Sequence, residues 1–211
     1  MIPLCRDSGL LLLDFDGPTC DVFHGYPAQI IAEELHDLAV NVGFKLPVSN
    51  DPMQVLSAAA AFPEVLPVLE DGLIQRETAA VDVALLTPNA ARFLAEASEL
   101  GVPVAVVSNN SALAIESFLN RLSLADRVAA IFGRPYRQPE LMKPSPHLLN
   151  QALSMFDIAA SRTCFIGDST TDVEAARAAG TPVVALANKP GKRELFEGYA
   201  DAVIEDMAEL L

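Results

Sequence analysis

Short, unbroken apolar runs separated by longer stretches of helical spacing recur through most of this chain, and they constrain its fold more than any other feature. "GLLLLDF" (9–15), "VPVAVVS" (102–108), "VAAIFG" (128–133), "TCFIGD" (163–168) and "TPVVALA" (181–187) read as strands. Their apolar character is continuous instead of alternating, so both faces are buried, as in a parallel sheet covered by helices. "PNAARFLAEASELG" (88–101), "SALAIESFLNRL" (111–122), "SPHLLNQALSMFD" (145–157) and "TTDVEAARAAG" (170–180) supply the helices, the first marked by proline at its start and glycine at its stop. "ADAVIEDMAELL" ends the chain with a brief strand and a short helix. The expected class is α/β. In such sheets ligands collect at the carboxyl ends of the strands, which is where Asp14, Ser108 and Asp168 stand.

Residues 18–86 break the alternation. After the turn-like "GPTCDVFHGYP" come "AQIIAEELHDLAVNVG", "DPMQVLSAAAAF" and "PEVLPVLEDGLIQRETAAVDVALLT", all helical in pattern with no convincing strand. A helical insert, 18–86, is therefore expected within a core made of 1–17 and 87–211. It holds ten Asp and Glu residues against Lys45 and Arg76, which counts against substrates with further carboxylates or phosphates. The net charge of the whole chain is −14 and no run of Lys or Arg exists, so neither nucleic acid nor an anionic membrane surface is an expected partner. No stretch approaches the roughly 20 apolar residues of a membrane span, and the start lacks the pattern of a secretory leader. Cys5, Cys20 and Cys164 are scattered without CxxC spacing, which reads as reduced thiols in a cytoplasmic protein.

The candidate chemistry begins with "LLLLDFDG", a buried strand running into Asp14 and Asp16. Two carboxylates so close repel each other, and desolvating either is costly, so something must offset them. Three further stretches matter: "VVSNNS" with Ser108 and Asn109, "MKPSP" with Lys143, and "GDSTTDVEAARAAG" with Asp168 and Asp172. Each alone has a plain structural reading. Aspartates cap local N–H groups, Ser108 prefaces a helix, Lys143 is solvated, and Asp172 favours a helix's first turn.

Together, in this order and at these strand ends, they resemble the haloacid dehalogenase-like (HAD) hydrolase superfamily, and within it the phosphoglycolate-phosphatase-like branch. The resemblance implies a Rossmann-like three-layer sandwich with a small all-helical cap inserted after the first strand. It implies a Mg²⁺-dependent phosphatase acting on a small phosphorylated metabolite. Asp14 would be the nucleophile, forming an aspartyl-phosphate, and Asp16 the general acid and base. The magnesium ligands would be the Asp14 carboxylate, the Asp16 carbonyl and the Asp168 carboxylate, with Asp172 as outer ligand or orienting metal-bound water. The Ser108 hydroxyl, the Asn109 N–H and Lys143 would hold the phosphoryl oxygens.

Pro18 and Thr19 depart from the family's usual threonine or valine followed by leucine, and imply a stiffer hinge. His24, His36 and His147 read as structural or solvent-facing. Cys20 has no cation nearby in sequence to lower its pKa. Arg76 is a candidate for touching the far end of a substrate. Arg134 and Arg137 either strengthen the phosphate-attracting field or pair with surface carboxylates. The resemblance leaves two other readings open: a sugar phosphomutase on the same core, and a non-catalytic interaction or regulatory protein. Dehalogenation is disfavoured because Asp16 is retained.

Overall fold

In the computed structural model, which describes residues 2–211, one turn of helix, α1 (Pro3–Arg6), leads into strand β1 (Leu10–Leu13). All four leucines of β1 are buried. The backbone alternation sends Leu10 and Leu12 to one side of the sheet and Leu11 and Leu13 to the other, and each pair joins a different apolar cluster.

The chain then leaves the sheet. A two-residue strand, β2 (Cys20–Asp21), is followed by helices α2 (Ala28–Asn41), α3 (Pro52–Ala59) and α4 (Leu66–Val83), and by β3 (Leu85–Leu86). Asp51 caps α3 by accepting the Met53 N–H at 2.8 Å. β2 and β3 pair antiparallel, Cys20 against Leu86 and Asp21 against Leu85. This ribbon corrects the expectation of no strand between 18 and 86. Two-residue strands are too short to show a period of two, and their pairing joins segments about sixty-five residues apart in sequence.

The core resumes with α5 (Ala90–Glu99), β4 (Val104–Val107), α6 (Ala112–Arg121), β5 (Ala130–Phe132) and α7 (His147–Phe156). It ends with β6 (Thr163–Gly167), α8 (Thr170–Ala179), β7 (Val183–Leu186), α9 (Lys192–Phe196) and β8 (Ala202–Ile204). Among the described residues the large sheet has the order β5-β4-β1-β6-β7-β8, with every pairing parallel. From β1 the chain builds outward through β4 and β5, then returns to the other side of β1 for β6 to β8. The reversal leaves a crevice beyond the carboxyl end of β1, the place where open α/β sheets bind ligands. Helices α7 and α8 cover the Leu10–Leu12 side, and α5 covers the Leu11–Leu13 side.

The insert does not pack as a body apart. Its buried residues, among them Leu35, Leu56, Leu69 and Leu73, form one continuous cluster with Phe15 and with Ile115 and Phe118 of α6. Phe15 meets Phe118 edge-on, ring centroids 5.3 Å apart. Cys5 and Cys164, remote in sequence, lie side by side in the core with sulfurs 3.1 Å apart, both as free thiols. No helix among the described residues is long and apolar enough to cross a membrane.

Because Phe118 is fully buried where core meets insert, Phe118→Ala is expected to lower the unfolding free energy by about 3–5 kcal/mol. Urea denaturation followed by circular dichroism measures it.

Candidate active site

Asp14 directly follows β1, Ser108 follows β4 and Asp168 follows β6. These three strands are neighbours in the sheet, so their ends meet at the crevice. Lys143 comes from the loop between β5 and α7 and is buried. Its Nζ lies 2.8 Å from Asp14 Oδ1, 2.6 Å from Asp172 Oδ1 and 3.2 Å from the Val107 carbonyl, and it stands 5.4 Å over the Phe165 ring. The ammonium hydrogen-bonds the carbonyl and forms ion pairs with the two carboxylates. Desolvation works against the ammonium, but the two aspartates outweigh it, so its pKa is held above the ordinary lysine value.

The loop that delivers Lys143 is pinned by Asn109. Asn109 Oδ1 accepts the Lys143 N–H at 2.8 Å, and its Nδ2 donates to the Lys143 carbonyl at 3.0 Å. Sequence reasoning assigned Asn109 only a backbone contact. Its side chain holds the backbone of the buried lysine.

Asp172 is fully buried at the start of α8. Its Oδ2 accepts the N–H groups of Asp168 and Ser169 at 3.0 Å and the Ser169 hydroxyl at 2.7 Å, completing a capping box with Ser169. These bonds and Lys143 overcome the desolvation and hold the Asp172 carboxyl below the ordinary value. Capping and ion pairing therefore coexist in one side chain. Asp14 goes the other way. Burial and then the Asp172 charge raise its pKa well above normal, against the pull of Lys143. Asp16 lines the same crevice, its Oδ1 accepting the Val22 N–H at 3.0 Å, and burial pushes its pKa up to about 6.

Lys192 was missed in the sequence. Its Nζ donates to the Asp168 carbonyl at 2.8 Å and makes a close ion pair with Asp168 Oδ2. Burial raises the Asp168 pKa and Lys192 partly offsets that. The signal was present in "ANKPGKRE", a cationic loop after the carboxyl end of β7.

One carboxylate oxygen from each of Asp14, Asp168 and Asp172 lies within 4.8 Å of the other two. The donors are all hard oxygens, the chemistry that suits Mg²⁺. With Asp16, four carboxylates face the ammonium groups of Lys143 and Lys192, with Lys189 acting on Asp16 and Asp168 as well, and negative charge stays in excess. A divalent cation fits that excess.

The crevice opens into a cavity of about 430 Å³. Its core wall includes Ser108 and Asn109, and its roof comes from the insert: Phe23, Asp51, Met53, Gln54 and Ser57. Among the described residues Asp51 is the only acidic side chain that the insert contributes there, and it is occupied in capping α3. The insert thus brings one of its ten acidic side chains to the cavity wall. Arg76 does not line the cavity but bonds Glu34 at 2.6 Å. Arg134 is buried and pairs with Glu70 and Glu77 of the insert, so its carboxylate partners are not at the surface, and it adds no free positive field. Arg137 stacks on Tyr136, 4.7 Å from the ring centroid. None of the histidines lines the cavity. Cys20 is buried, and desolvation with the nearby Asp16 and Asp14 charges raises its thiol pKa. Thr19 turns its hydroxyl away to the Asp14 carbonyl, at 2.8 Å.

Gly17 has a φ of +101°, and a Cβ there would fall on the Asp168 carboxyl group. Gly17→Ala is therefore expected to displace Asp168 from the carboxylate cluster and to weaken any divalent-cation binding there by about tenfold or more, as measured by isothermal titration calorimetry on folded protein.

A family model described as haloacid dehalogenase-like hydrolase matches residues 10–180. The phosphoglycolate phosphatase of Pectobacterium atrosepticum is 32% identical over 119 residues, 56% of this chain and 50% of that protein. That of Neisseria meningitidis is 38% identical over 87 residues, 41% of this chain and 36% of that protein. The chain thus spans about half the length, or less, of these curated relatives. In fold it resembles CbbY from Rhodobacter sphaeroides, solved in complex with phosphate, with a TM-score of 0.73 at 18% identity over 96% of each chain. A predicted phosphoglycolate phosphatase from Haemophilus somnus gives 0.70 at 20% identity, over 97% of this chain and 96% of that one. The family match runs from the strand that ends in Asp14 to the glycine that closes α8, and the chain belongs to the haloacid dehalogenase-like hydrolase family.

Proposed function

We propose that this chain is a Mg²⁺-dependent phosphatase of small phosphate monoesters. The observation that carries the reading is Asp14. It sits at the strand end on the cavity wall, with Oδ1 held by Lys143 at 2.8 Å and by the Phe15 N–H at 2.7 Å. Both contacts fall on Oδ1, which leaves Oδ2 as the attacking oxygen.

Asp14 attacks phosphorus, the bond to the ester oxygen breaks, and Asp16 gives that oxygen its proton. Water then attacks the aspartyl-phosphate, Asp16 takes the proton back, and Asp14 is released with inorganic phosphate. A carboxyl group with a pKa of about 6 can perform both transfers near neutral pH. Mg²⁺, held by the carboxylates of Asp14 and Asp168 with the Asp16 carbonyl and Asp172 nearby, would supply the positive charge that lets a dianionic phosphoryl group lie against carboxylates. Lys143 orients Asp14, partly offsets the burial that favours its protonated form, and adds positive charge for the phosphoryl oxygens. The Ser108 hydroxyl, turning from Asn110 Oδ1, and the Asn109 N–H donate to the phosphoryl oxygens, and the insert, 18–86, roofs the cavity against bulk water.

Among the described residues the insert contributes no Lys or Arg to the roof. A second phosphate group finds no cationic partner there, which favours hydrolysis of monophosphates over a mutase that must grip a sugar at its phosphorylated far end. The relatives named phosphoglycolate phosphatase put that ester first in a substrate screen.

With Mg²⁺, the protein is expected to release p-nitrophenol from p-nitrophenyl phosphate and inorganic phosphate from phosphoglycolate. Chelation by EDTA should abolish turnover, and Asp14→Asn should lower kcat by at least about 10³-fold. Unchanged rates in that variant would remove Asp14 as the nucleophile. Isomerisation of a sugar phosphate without phosphate release would restore the mutase reading.

A further inference from the structure

The buried cluster around Arg134 lies outside the carboxylate site, and the proposed chemistry leaves it unused. Arg134 follows β5 and its side chain is wholly enclosed. Its Nε donates to Glu70 Oε1 at 2.7 Å, and its Nη1 and Nη2 meet the two Glu77 oxygens at 2.7 and 3.2 Å. Nη1 also donates to the Asn109 carbonyl at 2.7 Å. Glu77, on α4, reaches the same turn from the other side. It accepts the Ser111 N–H at 3.0 Å and the Asn110 side-chain amide at 3.2 Å. Asn110 then holds Ser108: Oδ1 accepts the Ser108 hydroxyl at 3.2 Å, and the Asn110 N–H donates back at 3.2 Å. The chain of contacts runs from a carboxylate of the insert to a side chain on the cavity wall.

Fastening α4 to the core does not require this. The end of that helix is already held by Arg121 of α6, which donates to the carbonyls of Val81 and Ala84 at 2.9 and 2.7 Å. The contacts of Glu77 with Asn110 and Ser111 serve the turn itself. Substrate-gripping groups need fixed geometry, and small displacements are costly to catalysis.

We propose that Glu77 and Arg134 are positioning residues that fix the Ser108–Ser111 turn, so that a helix of the insert sets the geometry in which the core grips the phosphoryl group. This rests on the phosphatase reading above.

Glu77→Gln keeps the shape of the side chain and removes its charge. With p-nitrophenyl phosphate and Mg²⁺, kcat is expected to fall by about tenfold or more while the protein stays folded by thermal denaturation. Hydrogen exchange at the Asn110 and Ser111 amides should accelerate. Arg76→Met, which breaks the Arg76–Glu34 pair elsewhere in the same insert, should lower thermal stability and leave both kcat and those amides unaffected. The inference is overturned if Glu77→Gln keeps kcat and amide protection, or if Arg76→Met loses as much activity. Should Glu77→Gln not fold, Arg134→Lys gives the same two readouts, and unfolding of both assigns the cluster to stability alone. A parent protein that turns over no ester overturns the phosphatase reading and this inference with it. An active parent with unaffected variants overturns the inference alone.

Discussion

Four carboxylates converge on two lysine ammonium groups at the carboxyl ends of β1 and β6, and the surroundings are arranged around that imbalance. Buried carboxylates without compensation would take up protons or open the fold. Lys143 supplies the innermost compensation, and its position is not left to a flexible stem. Its backbone is clasped by the Asn109 amide, its Nζ bonds the Val107 carbonyl and pairs with Asp14 and Asp172, and an aromatic ring lies beneath it. Asp172 is fixed by its capping box, which makes one residue both the start of α8 and an anchor for the lysine. Asp14, like Asp16 and Asp168, is left with a raised pKa. Added positive charge at that point returns it to the ionised form that a nucleophile needs, so the electrostatics of the cluster and the proposed chemistry require the same cation.

The insert belongs to the site in two separate ways. Through Phe23, Met53, Gln54 and Ser57 it roofs the cavity with mostly uncharged groups. Through α4 it is bonded to the core by a buried arginine, by Arg121 at its end, and by an apolar cluster continuous with Phe15 and Phe118. Burying an arginine between two glutamates carries a desolvation cost that the ion pairs have to outweigh, and one of the guanidinium nitrogens also bonds the Asn109 carbonyl. Three of the ten acidic residues of the insert are taken up in such pairings: Glu70 and Glu77 with Arg134, and Glu34 with Arg76.

The elements of the core were legible because their signals are local. "LLLL", "VAVV" and "VVAL" are buried on both faces, and the observed helices start and stop within a few residues of the proline, serine and glycine marks. The residues that meet at the crevice were also legible, since any side chain just beyond the end of a parallel strand arrives on the same side of the sheet. The ribbon of Cys20–Asp21 with Leu85–Leu86 was not, because pairing across the length of the insert leaves no periodic trace.

The sequence by itself determined the class of fold, the strand-end placement of Asp14, Ser108 and Asp168, and the excess of negative charge there, all consequences of spacing along one chain. Only the tertiary structure decided how that charge is compensated: Lys143 between Asp14 and Asp172, Lys192 on Asp168, and Arg134 taken up by the insert instead of the phosphate site. Lys143, in a loop, and Lys192, at the start of α9, are remote in sequence from the carboxylates they meet, and Arg134 from its glutamates. Which anion a cation neutralises depends on distance and desolvation, and neither quantity exists until the chain has folded.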